Sequence, residues 1–315
     1  MQITVDAWDP SFADNPESPS RSDRAVVRAD IELEPADWRP LDAPASGPRR
    51  IVVVDGVRRI DARVELLDDA PERRGERWPG LCVSWAAGAV ACDLDGRRSA
   101  AAEASVVEVA VERGLFAAVD PGADFGRYPH RRTESADPGE LIASAQAAMA
   151  ELEAKVSSMV AMDAELSVLD GPLRGRTRLP NSVGYIKSHH RSYLQGDMNA
   201  VVERLRPGQR TPVFHLMSGW PRYTWYLRLP GASSRGWAGV ARLEAADDLS
   251  EEAAIALADA TAASLPPLGS AAHKDARAPQ NLTPIAGLER RLKRMLGDPR
   301  LLLRSVRAAS QESGR

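Results

Sequence analysis

Two aspartates stand where apolar runs give way to turn chemistry. Ile51-Val-Val-Val-Asp-Gly-Val57 and Leu166-Ser-Val-Leu-Asp-Gly-Pro172 each carry strand formers into Asp-Gly. An uninterrupted apolar run of this length reads as a strand buried on both faces, so Asp55 and Asp170 each fall at the mouth of a core strand. Asp-Gly after a strand is also common turn chemistry, and one copy alone signifies little. Two copies in one sheet can bring two carboxylates to one edge.

Paired carboxylates suit a hard divalent cation such as Mg²⁺ or Mn²⁺, which takes oxygen ligands. Such ions allow a phosphodiester to be hydrolysed at neutral pH. Three or four acids are expected, and Asp55 and Asp170 supply two. Glu151 and Glu153 flank apolar Leu152; Glu153 borders the apolar face of its helix and is the preferred third ligand, with a solvated helix face as the alternative. Hydrolysis also benefits from a cation near the phosphate and a group that manages protons. Lys187 ends a strand-like run, and His273 lies in Ala272-His-Lys-Asp-Ala-Arg277. His189 and His190 beside Lys187 could bind phosphate, a metal or nothing. Arg174, Arg176 and Arg178 form a basic loop after Asp170 that could draw in a nucleic-acid strand or remain a solvated loop.

The positioning elements follow from periodicity. Residues 1–48 are rich in Pro, Asp and Ser and read as a partly ordered arm docked by Trp38, with alternation at Val27, Ala29, Ile31 and Leu33. Ile51 onward gives a meander of strands to about Val119, and 121–138 reads as a loop. Leu141, Ala145, Ala148, Met149, Leu152, Val156 and Met159 recur at helical spacing, so 139–162 is an amphipathic helix with Asp137 as its N-cap. That helix leads into the Leu166–Asp170 strand as a crossover. A short strand at the core of the segment Val183–Tyr193, a helix at 197–205, three more strands at 212–217, 223–229 and 237–243, and helices from Ser250, Pro284 and Pro299 complete an α/β chain. The expected domain runs over 49–310, with a frayed tail at 311–315.

The net charge of −3 over 315 residues makes any nucleic-acid site a local patch. Two cysteines, Cys82 and Cys92, lie in apolar surroundings without zinc-ligand spacing and read as buried thiols in a reducing cytoplasm. No export signal or membrane span is expected.

The ordered set Val-Val-Asp-Gly, Met149-x-x-Leu-Glu153, Val-Leu-Asp-Gly-Pro-Leu, Val-Gly-Tyr-Ile-Lys-Ser-His and Ala-His-Lys-Asp-Ala resembles the NurA nuclease family from about Ile51 to Arg304. The resemblance implies an RNase H-like core, a mixed sheet flanked by helices with additional strands and C-terminal helices. It implies Mn²⁺-dependent action on DNA, a homodimer, and a HerA-like hexameric ATPase as partner. Metal ligation by Asp55, Glu153 and Asp170 with His273 nearby, and Lys187 at the phosphate or attacking water, come with it. An aromatic residue of the Tyr223–Tyr226 strand is expected to line the cleft. Val57 departs from the small hydroxyl residue the family often carries after Asp-Gly. A non-catalytic adaptor that docks on a motor ATPase or DNA is the competing expectation; a two-carboxylate glycoside hydrolase fits poorly, because aromatics are few and cations cluster near Asp170.

Overall fold

Ile51, Val52, Val53 and Val54 have essentially no surface left to water, which explains why no polar residue alternates with them: a strand covered on both faces has no wet side. The computed structural model describes residues 26–67, 75–94, 103–121, 125–174, 179–188, 192–217, 219–231 and 236–313. It holds ten strands and five α-helices among these residues, and its mixed sheet and helices place the chain in the α/β class.

Two compact units interleave along the chain. The first comprises Met1–Val53, Val90–Ser105 and Val160–Ala286, the second Val54–Ala89, Val106–Met159 and Gly287–Arg315.

In the first unit the strand order is β1 (Val27–Arg28), β8 (Phe214–Leu216), β9 (Arg222–Arg228), β10 (Val240–Ala246), β7 (Ser182–Ile186) and β6 (Leu166–Asp170), followed by the opening residues of β2 (Arg50–Leu67). β6 and β7 run parallel, with Asp170 opposite Tyr185; β7–β10, β10–β9, β9–β8 and β8–β1 are antiparallel. Helices cover both faces. On one, α3 (Glu251–Ser264) lays Ala254, Ala258 and Ala262 against Trp225, Leu243 and Val183. That four-residue repeat of small side chains lets the helix approach closely, and Ser250 caps its start by accepting from the Ala253 N–H. On the other, α2 (Gly196–Arg204) buries Val201 and Val202 beside Phe214, Tyr226 and Trp38. Trp38 donates its indole N–H to the Ala29 carbonyl, and Arg210 binds Glu32 through two nitrogens and Asp259 of α3. Those bonds hold the described part of the N-terminal arm.

In the second unit the remainder of β2 is followed in the sheet by β3 (Arg77–Asp93), β4 (Glu103–Ala117) and the short β5 (His130–Arg132), which pairs parallel to β4. β5 lies inside the stretch expected to be loop; three residues give too little pattern to read. Asp137 starts α1 (Pro138–Val160), accepting from the Gly139 and Glu140 N–H groups. α4 (Thr283–Met295) and α5 (Pro299–Ser313) end the chain. The carbonyls just past the end of α4 are met by arginines, Arg113 at Leu296 and Arg59 at Gly297, a placement the helix dipole favours. Asp61, with no side-chain exposure, holds Arg59 in place and also accepts from Ser84 and Tyr128.

Cys82 and Cys92 are free and buried, and burial pushes both thiols up to about 12, so neither carries a reactive thiolate at neutral pH. Among the described residues no helix is long and apolar enough to cross a membrane.

Candidate functional site

β6 and β7 end side by side, and the chemistry of the first unit collects there. Because Asp170 pairs with Tyr185, strand alternation puts Lys187 on the same side two residues later. Its ammonium reaches back to donate to Asp170 Oδ2 at 2.6 Å and to Asn281 Oδ1 at 3.2 Å. Asn281 in turn donates to Asp275 Oδ2 at 2.6 Å, and the Arg277 N–H donates to Asp275 Oδ1 at 2.7 Å. Beneath the pair, Tyr185 is fully buried and donates its hydroxyl to the Gln280 carbonyl at 2.7 Å. Burial first and the Asp170 charge second raise its pKa well above the ordinary tyrosine range, so it stays a protonated donor.

The Asp-Gly pair after β6 is a structural necessity as well as a carboxylate carrier. Gly171 has φ +88°, the left-handed region that side chains disfavour, and its N–H closes the turn on the Tyr185 carbonyl. Gly184 on β7 has the matching role, since a Cβ there would stand 2.7 Å from the Leu173 nitrogen and 2.9 Å from the Gly171 carbonyl oxygen. The chain leaving Asp170 can therefore fold back directly over β7.

In the second unit, Asp55 and Glu153 are both buried, at 7% and 5% exposure, whereas Glu151 is exposed. α1 brings the Glu153 side chain against Gly56, the residue after Asp55: a Cβ at Gly56 would collide with Glu153 Oε1 and lie 2.9 Å from its Cγ and Cδ. Gly56 also donates its N–H to Asp55 Oδ1 at 2.8 Å. Burial thus separates Glu153 from Glu151, which instead lines a 170 Å³ surface cavity with Glu112, Arg131 and Lys155.

As oxygen donors these carboxylates fit a hard divalent cation in kind. Among the described residues, no group of three or more His, Cys, Asp or Glu side chains is arranged to hold a metal ion. Arg174 is exposed. His273 is exposed on a turn two residues before Asp275, with no hydrogen bond or ion pair among the described residues. Its segment instead contributes Asp275 and Asn281 to the Lys187 cluster. Arg176, Arg178, His189 and His190 lie outside the described residues. The expectation of a cleft-lining aromatic at Tyr223–Tyr226 is corrected: Trp225 donates its indole N–H to Thr261, Tyr226 stacks on Phe214, and Tyr223 packs on His215, all in covered positions. Aromatic residues on a strand with helices on both faces serve the core.

Sequence reading missed a second charged cluster in the first unit. Glu244 on β10 is 1% exposed and receives Arg222 Nε at 2.7 Å and Arg242 Nη1 at 2.6 Å on the same oxygen. Its other oxygen accepts the Leu173 N–H at 3.3 Å. The available signal was a set of charges, Arg222, Arg242 and Glu244, inside otherwise apolar strands, where unpaired charge is costly.

No family model matches the chain, and no curated protein matches it. Among solved structures it is similar to the NurA nuclease from Sulfolobus solfataricus, at 10% sequence identity, with 81% of each chain covered and a TM-score of 0.44.

Proposed function

We propose that the protein is a metal-dependent deoxyribonuclease, of the 5′ to 3′ exonuclease and single-strand endonuclease type. It would act as a homodimer on DNA ends or foreign DNA with a HerA-like hexameric ATPase. The observation that carries the reading is the Asp170–Lys187 pair at the carboxyl ends of parallel neighbours β6 and β7, where open α/β sheets gather ligands. Lys187 is held at two points, by Asp170 and Asn281, so its ammonium is oriented before any substrate arrives. An oriented cation binds a phosphate oxygen with little reorganisation. Tyr185 and the Asp275–Asn281 bond fix the ground beneath it.

The ligand roles are assigned to Asp55, Glu153 and Asp170, with Mn²⁺ or Mg²⁺ as the ion and His273 as the accompanying histidine. When bound, the ion neutralises charge at the phosphate and acidifies water. Cleavage of end-labelled single- and double-stranded DNA in Mn²⁺, Mg²⁺ and EDTA tests the reading. Metal-dependent cleavage is expected, with Asp170→Asn lowering it by roughly a hundredfold or more. Wild-type activity retained by Asp170→Asn would remove Asp170 from the site. The second reading, a non-catalytic adaptor, is favoured by one feature: the Lys187 ammonium already occupies Asp170 Oδ2. No cleavage in any metal, even with the ATPase added, but intact binding to that ATPase, would establish it.

A further inference from the structure

The Arg222–Glu244–Arg242 cluster holds two guanidiniums on one carboxylate oxygen, which leaves one positive charge in surplus. All three residues are more than nine-tenths buried. Taking a net charge out of water is expensive unless something compensates it, and part of the compensation is visible. The Tyr193 ring lies 5.0 Å from the Arg242 guanidinium and 5.9 Å from that of Arg222, and the Trp220 ring lies 4.7 Å from Arg222.

The donors are not exhausted. Arg222 commits Nε to Glu244 and Nη1 to the Trp220 carbonyl at 2.8 Å; Arg242 commits only Nη1. Arg222 Nη2 and Arg242 Nε and Nη2 make no hydrogen bond among the described residues. A purely structural brace would need one arginine, because a single guanidinium neutralises Glu244. The second adds charge and a planar fork of N–H groups, the arrangement that suits a phosphate. β9 and β10 carry the cluster on the face opposite Trp225 and, across β7, opposite Tyr185. The turn from Asp170 folds over to that same face and is tied there by the bond from Leu173 N–H to Glu244.

We propose that Arg222 and Arg242 form a phosphate-binding site for the backbone of a single-stranded nucleic acid, with Glu244 setting both guanidiniums and the rings of Tyr193 and Trp220 walling them. The strand as ligand rests on the nuclease reading; the anion chemistry does not.

The test is fluorescence anisotropy of a labelled single-stranded oligodeoxynucleotide with the full chain in EDTA, across a salt series, for wild type, Arg222→Met and Arg242→Met. Each variant leaves a neutral Arg–Glu pair, so folding is expected to survive, and Arg242→Lys, which keeps charge but loses the fork, serves if it does not. Affinity should fall roughly tenfold in either variant, with the log–log salt slope shallower by about 0.7. Unchanged affinity and slope in both folded variants would overturn the site. If inorganic phosphate raises the melting temperature of wild type but not of Arg242→Met while oligonucleotide binding is unaffected, the anion is a free phosphate and the strand assignment fails. Arginine-dependent binding without cleavage in any metal, even with the ATPase added, would sink the nuclease reading and leave the arginine site standing.

Discussion

The first unit carries two charged clusters on opposite faces of the same sheet, one at the ends of β6 and β7 and the other on β9 and β10, and they differ in balance. On the α3 face, two carboxylates, Asp170 and Asp275, meet two cations, Lys187 and Arg277, the latter at 3.8 Å from Asp275. On the other face, one carboxylate meets two arginines. A balanced cluster can stand without a ligand, and its groups are oriented ahead of any encounter. A cluster with a surplus is held in readiness for a counter-charge, with aromatic rings reducing the cost meanwhile. One sheet thus holds a preoriented acid–lysine pair on one face and a surplus of buried positive charge on the other, the site of the proposed anion seat.

Removing the lone carboxylate of the unbalanced cluster should have the largest effect on stability. Glu244→Gln strands two buried guanidiniums against a neutral amide, and a loss of roughly 3–5 kcal/mol is expected. Arg242→Met should cost far less, because a neutral pair remains. Denaturant midpoints of the two variants check the contrast; equal losses would show that the cluster is held by packing and not by charge.

The balanced cluster should respond more mildly. Lys187→Met leaves Asp170 without its ammonium and Asn281 without a donor, but the Asp170 side chain keeps 17% exposure and access to water. A loss of about 1–3 kcal/mol is expected. The sharper readout is linkage. If the ammonium and a divalent ion compete for Asp170, Mn²⁺ should raise the melting temperature of Lys187→Met more than that of wild type. A smaller rise than in wild type would show that the two do not compete.

These contrasts also mark what could be read from residues alone. Asp170 and Lys187 were legible because each follows an apolar run at a strand end, where strand pairing fixes its place. Asp55 also follows an apolar run, but the expected turn is corrected, since β2 continues through Asp55 and Gly56 to Leu67 and holds Asp55 within the strand and not at its mouth. The burial of Glu153 and the exposure of Glu151 were legible from helical spacing, which settles a face without knowing what covers it. Asn281 and Asp275 were not, since they sit in an irregular segment whose path depends on packing at Leu282 and Ile285. The Arg222–Glu244–Arg242 cluster was hidden for another reason. Its members lie on β9 and β10, and cross-strand register brings Glu244 opposite Thr224 and Arg242 opposite Tyr226, a pairing that composition and alternation do not specify. The α/β class followed from periods of two and 3.6; the division into two interleaved units did not, because its boundaries fall inside β2, β3, β4, α1 and α4.

The second unit offers a finer test of how a carboxylate is placed, this time by shape and not by charge. Gly56 is required there by Glu153 and not by its backbone, because it has no positive φ. Gly56→Ala forces the Glu153 side chain to move, at a cost of about 1–3 kcal/mol. Glu153→Ala in the same chain removes the group the methyl strikes, so the double variant should recover much of that loss. A coupling of roughly 1 kcal/mol or more in the double-mutant cycle is expected. If Glu153 is a metal ligand, Gly56→Ala should also weaken cleavage, and at saturating Mn²⁺ by less than Glu153→Ala does, since a displaced carboxylate is still present. Additive stabilities would mean that the methyl group is absorbed elsewhere, and the close approach of α1 to β2 at Gly56 would then have no part in placing Glu153.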